Sequence, residues 1–580
     1  MSRSRRLDSG RSSGRRRGGR NLGEVVRRGP ASGWRVARFT SRNAIAITAF
    51  LGATHLMLAL LTFLPQPHTG GDNAAYITLG QSLLHEHAYL SLYDPASPPH
   101  TQYPPVFPAI LAVAMAAGLQ PWAQLKILIA LLSSAAVMLS FLWIRRRRRP
   151  ALALGTGILL ALSPGVLEQA HWILSDVPFW CFTMLAVWAF ERSRPELRGR
   201  FFLAVGATLT AYFTRSAGLP LLLAAWGWLA LRQRWKQLAI LAAVSVPLAF
   251  LWWLRSRAGG GVDYVSQFWF VNPYDPSLGR IGPAELFGRM ATNGTKYVRL
   301  HLPILLTGGA GVIPLLIGVA TLSCGAYGWA RRLRRPRRAT LAEMLLPMYL
   351  GLLLVWPAVW SGERFLLPVL PLLLYYAGDG LVRITQRLRP GRGFVAASAA
   401  VGLIGLSMIP AEAGAIAFSG RCMLEYRSGE RYPCQVPAWR DFFGIGEWAR
   451  QSLPAGVAVL TRKPTLFYVL SEGHPSRTYP FTPDPAALLR TAREAGARYV
   501  VLDHLDGLSQ AYLQPAIAAR PAAFCLMYVS PLYRTAVLGI RPGAEAMPDT
   551  PPSESGSIGF EECPADYWSR EALRRREGGR

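Results

Sequence analysis

Seven residues between Asp72 and Arg364 have side chains suited to a group-transfer site. Asp72 stands in Gly70-Gly71-Asp72-Asn73-Ala74-Ala75-Tyr76, and Tyr103 in Gln102-Tyr103-Pro104-Pro105. A carboxylate fixed beside a proline-braced aromatic segment can take a proton from a hydroxyl group. Asp176, in Leu174-Ser175-Asp176-Val177-Pro178, is a second acid. Arg215 follows Thr214, and Arg364 lies in Ser361-Gly362-Glu363-Arg364-Phe365-Leu366-Leu367-Pro368. Guanidinium groups of this kind grip a phosphate in bidentate fashion. Tyr76 and Glu363 complete the set as neighbours of the first acid and the second arginine. Plainer roles stand beside these. Asp72 and Asp176 can each cap a helix N-terminus, the latter with Pro178 in the first turn. The arginines can snorkel, or Arg364 can pair with Glu363. Glu168 and His171 are interfacial groups or further members of the same site.

The elements that must hold these residues are membrane helices. The 580-residue chain is 51% hydrophobic and only 17% charged, against about a quarter charged in soluble domains. Apolar runs at 44–64, 123–144, 151–170, 177–192, 201–214, 216–231, 237–254, 302–330, 340–360, 365–382 and 394–416 approach the roughly 20 residues a spanning helix needs. The net charge of +30 comes in bursts between those runs, such as Arg145 to Arg149, Arg192 to Arg200, Arg232 to Lys236, Arg331 to Arg338 and Arg383 to Arg392. That is the positive-inside pattern of a polytopic protein, and no nucleic-acid motif accompanies it. With every burst cytoplasmic, the loop 65–103, which has no lysine or arginine, lies outside. The run 105–118 is short and proline-flanked, so it reads as a partial insertion. Eleven spans follow, with a cytoplasmic N-terminus and an extracytoplasmic C-terminus. Arg280 and Arg289, in the outside loop 255–301, run against the pattern.

The rest of the chain divides by composition. Residues 1–43 carry thirteen arginines and read as a disordered basic arm able to attract anionic lipid. Residues 417–545 read as a small extracytoplasmic α/β domain, with strands expected at 457–460, 499–502 and 523–529 and a helix at 484–497. Residues 546–580 read as a loose tail. Cys181 and Cys324 fall in apolar runs. Among the four later cysteines, Cys422 and Cys434 are the local candidates for a disulfide. His85, His87 and His100 read as solvated rather than as metal ligands. Asn293-Gly294-Thr295 matches a glycosylation sequon, a triplet common by chance. The aromatic residues of 255–301 are expected at the interface or against a sugar or lipid.

An outside Asp after the first span, then a Tyr, then a Tyr-Pro-Pro lead into the next membrane segment, resembles the GT-C superfamily of membrane glycosyltransferases. The resemblance is strongest to glycosyltransferase family 39-like proteins, related to protein O-mannosyltransferases and the lipid A aminoarabinose transferase. Leu174-Ser175-Asp176-Val177-Pro178, Thr214-Arg215 and Glu363-Arg364-Phe365-Leu366-Leu367-Pro368 fall in the expected order, within a resemblance covering about 44–416. It implies a mainly helical membrane fold in the plasma membrane. It also implies transfer of a sugar from a polyprenyl-phosphate donor to an extracytoplasmic glycan, lipid or protein acceptor, with inversion. Asp72 would be the acid/base residue, Asp176 would position donor or acceptor, and Arg215 and Arg364 would steady the lipid phosphate. Many relatives have a second acid after the first; here that position is Asn73, which weakens a site built on paired acids or on a divalent metal. A transporter or flippase of lipid-linked glycans, or an envelope scaffold, are the rival functions.

Overall fold

The computed structural model describes residues 40, 42–147, 149, 151–192, 198–259, 264–275, 278–334, 339–532, 535–549 and 559–564. Most of the basic arm and of the last 35 residues therefore lies outside the described residues. The chain opens with α1 (Ala44–Leu61), α2 (Gly71–His85), α3 (Val106–Ala116), α4 (Ala123–Ile144), α5 (Ala151–Leu162), α6 (Pro164–Gln169), α7 (Asp176–Arg192), α8 (Arg198–Thr214) and α9 (Leu219–Leu231). It continues through α10 (Trp235–Ala258), α11 (Tyr264–Phe268), α12 (Pro283–Lys296), α13 (Leu302–Thr307), α14 (Val312–Leu333), α15 (Leu341–Val355), α16 (Leu370–Leu388) and α17 (Gly393–Arg427). Among the described residues, α1, α4, α10, α14 and α17 are long and apolar enough to cross a membrane. This is a membrane protein. At about 1.5 Å per residue, the 11 residues of α3 reach only about half of a hydrocarbon core of roughly 30 Å.

Two expected spans are broken. The run 151–170 divides at Ser163, whose hydroxyl accepts a hydrogen bond from Val166 N ahead of Pro164 at the start of α6. A proline there costs nothing, because the first helical N–H has no partner to lose. The run 302–330 divides at Gly308, which caps α13 in the left-handed conformation (φ 76°). A Cβ there would meet Ala411 and Pro164, so both the backbone angle and the close approach require glycine. Small residues serve packing as well. Gly328 of α14 and Gly380 of α16 meet each other's backbone with no room for a Cβ, the close approach that small residues allow between membrane helices.

The bundle has two polar ends. At one, Arg147 lies 2.8 Å from Glu191 and 3.2 Å from Glu343, while Arg149, Arg332 and Arg383 surround Asp379. At the other stand Asp72, Tyr103, Asp176, Arg215 and Arg364. The outside arginines that disturb the charge pattern have structural partners. Arg289 donates to Phe268 O at 2.6 Å and Phe270 O at 2.7 Å, and Arg280 lies over the Phe270 ring. The sequon residue Asn293 is fully buried and donates to Leu354 O and Trp356 O, so the fold leaves it no room for a glycan.

After α17 come α18 (Pro437–Ser452), β1 (Ala458–Leu460), α19 (Pro464–Leu470), β2 (Ser476–Arg477), α20 (Pro485–Glu494), β3 (Ala497–Leu502), α21 (Gln514–Ala519), β4 (Phe524–Val529) and β5 (Ala536–Ile540). The strands form one mixed sheet in the order β2-β1-β3-β5-β4. β1 runs parallel to β2 and β3, with Val459 beside Ser476 and Tyr499; β5 runs antiparallel to β3 and β4, with Gly539 beside Tyr499 and Cys525. The three expected strands are present, and β2 and β5 are additional. Asp484 caps α20 through Ala486 N at 2.9 Å and Ala487 N at 3.1 Å, the role that Asp favours. This region rests on the first loop. α19 packs on α2, Arg477 pairs with Asp94 at 2.9 Å, and Ser476 N donates to Tyr93 O at 2.6 Å.

Cys422 is joined to Cys434 and Cys525 to Cys563, leaving Cys181 and Cys324 as thiols. Alkylation of the denatured protein without reductant is therefore expected to label two of the six cysteines, and all six after reduction. Intact mass of the labelled chain reads the number directly; four or more labels before reduction would remove one or both bridges.

Candidate active site

Asp72 is in the first turn of α2, but it does not cap that helix. The N-cap is Gly70, in extended conformation. The carboxylate of Asp72 instead faces outward, half exposed, accepting from Tyr103 OH at 3.0 Å and lying 3.5 Å from Arg364 Nη2. Tyr103 is fixed from several sides. Its ring stacks on Tyr76 at 4.7 Å, its N donates to His100 Nε2 at 3.0 Å, and its carbonyl accepts from Tyr89 OH at 2.9 Å. His100 is buried rather than solvated, as had been expected for it, because it locks this turn; His85 and His87 are exposed. From the end of α10, Arg255 donates to the carbonyls of Tyr89 and His100 and fastens the loop to the bundle.

Asp176 opens α7, almost fully buried, with its Oδ2 3.0 Å from Arg215 Nη1. Arg215 also donates to Ser175 Oγ at 2.9 Å, and that hydroxyl is 2.8 Å from Tyr76 OH. The guanidiniums of Arg215 and Arg364 each stand 4.9 Å from the centre of the Phe365 ring, an arrangement favoured by the ring quadrupole. The contacts close into a ring of groups: Asp72, Tyr103, Tyr76, Ser175, Arg215, Phe365 and Arg364. The plainer alternative for Arg364, an ion pair with Glu363, is not what the structure has: Arg364 faces Asp72. Glu363 turns to His301 Nδ1, 3.4 Å away, which a π-turn at Tyr297–His301 carries between α12 and α13. Such turns often mark functional positions.

The environment sets the charge states. Burial, then Asp72, holds the Tyr103 phenol well above its ordinary pKa, so it stays a donor to the carboxylate. Burial pushes Tyr76 up to about 12. For Arg215, burial works against the charge, but Asp176 together with the phenols of Tyr76, Tyr349 and Tyr264 outweighs it and the guanidinium is driven upward. The contact with His301, foremost, holds Glu363 below the usual carboxylate range.

Sequence reasoning singled out Asp72, Tyr76, Tyr103, Asp176, Arg215, Glu363 and Arg364, and the structure gathers them at one end of the bundle. It missed Ser175, Phe365, His301, Trp356 and Trp360; Tyr264, already noted among the aromatic residues of 255–301, forms an aromatic wall with the two tryptophans, the rings 5.8–6.4 Å apart. Ser175 and Phe365 were adjacent to chosen residues, and the chain-level signal was only that adjacency. Lys463, drawn down first by burial and then by Arg462, also feels the charge of Asp72; nothing in its own segment announced this. His171 is tied to Ala59 O at 2.8 Å instead. Asn73 is fully buried and its Oδ1 accepts from Ile173 N at 2.7 Å. Among the described residues, no three His, Cys, Asp or Glu side chains are grouped to hold a metal ion.

No protein-family model and no curated protein sequence matches the chain. Solved structures do. The Archaeoglobus fulgidus oligosaccharyltransferase, in a complex with zinc and sulfate, aligns with a TM-score of 0.52 at 14% identity, over 85% of this chain and 72% of that one. ArnT from Cupriavidus metallidurans in the apo state aligns with a TM-score of 0.51 at 12% identity, over 86% of this chain and 99% of that one. Both are GT-C glycosyltransferases. The chain has the GT-C fold.

Asp176→Asn would leave Arg215 buried without its counter-charge. Removing one partner of such a pair costs about 3 kcal/mol or more. The melting temperature of the purified protein in detergent is expected to fall, and the Asp176→Asn/Arg215→Gln double variant to recover part of the loss. A double variant no more stable than the single would mean the pair is not coupled.

Proposed function

We propose that the chain is a membrane glycosyltransferase that moves a sugar from a polyprenyl-phosphate carrier to an acceptor outside the cytoplasm, with inversion at the anomeric carbon. The observation that carries this reading is the ring around Phe365: a half-exposed carboxylate and two guanidiniums in one surface, at the end of the bundle opposite the arginine bursts. Kinship of fold with two glycosyltransferases supports it. The positive-inside rule supports a plasma-membrane orientation with the arginine-rich end cytoplasmic, and two disulfides in the C-terminal region favour an oxidising compartment for it. In this orientation residues 417–545 form an extracytoplasmic domain seated on the loop that bears Asp72.

The chemistry divides between the two charges. An acceptor hydroxyl attacks the anomeric carbon, its proton passes to Asp72, and the bond from that carbon to the phosphate oxygen breaks. The electron pair leaves with the lipid phosphate. Arg215 is held rigidly by Asp176 and Ser175, so it is already aimed before the donor arrives. Fixed cations of this kind lower the barrier by meeting charge as it develops. Arg364 is more mobile in its chemistry, since its contact with Asp72 is a loose 3.5 Å. A phosphate dianion or diester competes for that guanidinium. Donor binding thereby draws Arg364 from Asp72 and frees a carboxylate oxygen for the acceptor's proton, while Tyr103 keeps hold of the other.

Asp72→Asn, measured in membranes containing the lipid-linked donor, is expected to lower sugar transfer by about 10²- to 10⁴-fold, the usual contribution of a positioned base. Arg364→Ala is expected to reduce kcat/KM for the donor by roughly 10²-fold. Arg364→Lys should recover little, because a point charge does not reproduce the planar fork. Transfer undiminished in the folded Asp72→Asn protein would end the assignment of the base.

A further inference from the structure

At the opposite end of the molecule, three arginines share one acid. Asp379 is wholly buried in α16, and Arg149 Nε is 2.6 Å, Arg383 Nε 2.8 Å and Arg332 Nε 3.8 Å from its oxygens. The arginine side chains are themselves largely covered, at 18, 28 and 17% exposure. One carboxylate cannot balance three guanidiniums, and counting Arg147, Glu191 and Glu343 at the same end four arginines still face three acids, so positive charge remains in excess in a region largely shielded from water. Arg332 Nε, although buried, makes no hydrogen bond among the described residues. Uncompensated charge in such a place is costly; an additional anion would relieve it.

Beside this cluster opens an apolar cavity of about 920 Å³ between α5, α14, α16 and α17. Its volume is that of a sizeable ligand pocket, which runs from roughly 300 to 1,000 Å³. The two features are continuous. Leu152, Gly378, Leu381 and Phe394 line the cavity; Asp379 lies between the second and third of these in the chain. Arg149 sits 5.8 Å from the centre of the Phe394 ring. The walls are mostly hydrocarbon, and Arg149 stands at their edge against Phe394.

We propose that this cavity is a binding site for an anionic glycerophospholipid of the leaflet on the arginine-rich side, its acyl chains between the four helices and its phosphate against Arg149, Arg332 and Arg383. Basic pockets between membrane helices recognise anionic headgroups in this way. The site is remote from Asp72, and the proposal does not rest on the glycosyltransferase reading. A zwitterionic lipid fills the same hydrocarbon volume but brings no net charge to offset the excess, so selectivity is set at the rim.

Native mass spectrometry of the delipidated full chain, titrated with dioleoylphosphatidylglycerol or dioleoylphosphatidylcholine, separates these contributions. The wild type is expected to retain the phosphatidylglycerol at roughly ten-fold lower concentration than the phosphatidylcholine. The Arg149→Gln/Arg383→Gln variant should bring the two within two-fold. Ala320→Trp, which adds bulk at a cavity-lining position about three turns of α14 away from Arg332, should weaken retention of both lipids and serves if the arginine variant does not fold. Equal retention of the two lipids by the wild type overturns the proposal. So does a preference that survives the arginine substitutions, an unchanged affinity in Ala320→Trp, or loss of the preference on adding inorganic phosphate, which would identify a free-ion site.

Discussion

A guanidinium set between two membrane helices has to be met by an anion, and Arg215 is met by Asp176 at 3.0 Å. Much else at this end of the bundle follows from that pairing. Asp176 must stand at the start of α7, which places Ser175 beside Arg215 and Tyr76 beside Ser175. Tyr76 then offers its face to Tyr103, whose hydroxyl holds Asp72. Each contact is modest alone. Closed into a ring, they leave the exposed carboxylate few alternatives, because turning it away would release Tyr103 and leave Arg364 without its anion.

The two ends of the molecule use the same pairing to different effect, and water access separates them. Glu343 and Asp379 are buried to within 2%, and their arginines brace α4, α7, α14, α15 and α16. Buried ion pairs of that type fix geometry at little net gain in stability. Asp72 is half exposed and its ion pair is long, so it contributes little to stability and is free to exchange partners. A surface that keeps charge weakly satisfied is one that a charged substrate can enter. At the arginine-rich end the tight coupling braces helices; at Asp72 the loose pair leaves a carboxylate that can change partners.

How much of this could be read beforehand depends on the range of each interaction. Apolar runs are local, so the helical membrane architecture was legible. Asp72, Asp176, Arg215 and Arg364 could be chosen because ionisable groups next to apolar runs are conspicuous. Which of them would pair could not be read. Glu363 is adjacent to Arg364 and still turns to His301, since the short helical turn at Glu363–Leu366 sends neighbouring side chains in different directions. The division of 302–330 hinged on Gly308, whose left-handed backbone and contact with Ala411 appear only after α17 has packed against it. Cys525–Cys563 spans 38 residues, and spacing alone offered no reason to prefer it. The docking of α19 on α2, through Thr465 Oγ1 and Gly71 O at 3.1 Å, joins positions almost four hundred apart.

Asn73 bears on how many acids the site can use. Its carboxamide is fully buried, accepting from Ile173 N at 2.7 Å while its Nδ2 faces Gly70 O at 3.5 Å. A carboxylate of the same shape could keep the first contact, but its second oxygen would confront the Gly70 carbonyl with no proton between them. It would also place a buried negative charge one residue from Asp72, and like charges at that range oppose joint ionisation. Asparagine satisfies one donor and one acceptor without charge, and in doing so it pins the first turn of α2 to the segment leading into α7. Asn73, at the position beside Asp72, thereby holds the turn from which Asp72 points. In the proposed reaction the proton then passes to Asp72, whose carboxylate has Tyr103 on one oxygen and Arg364 near the other.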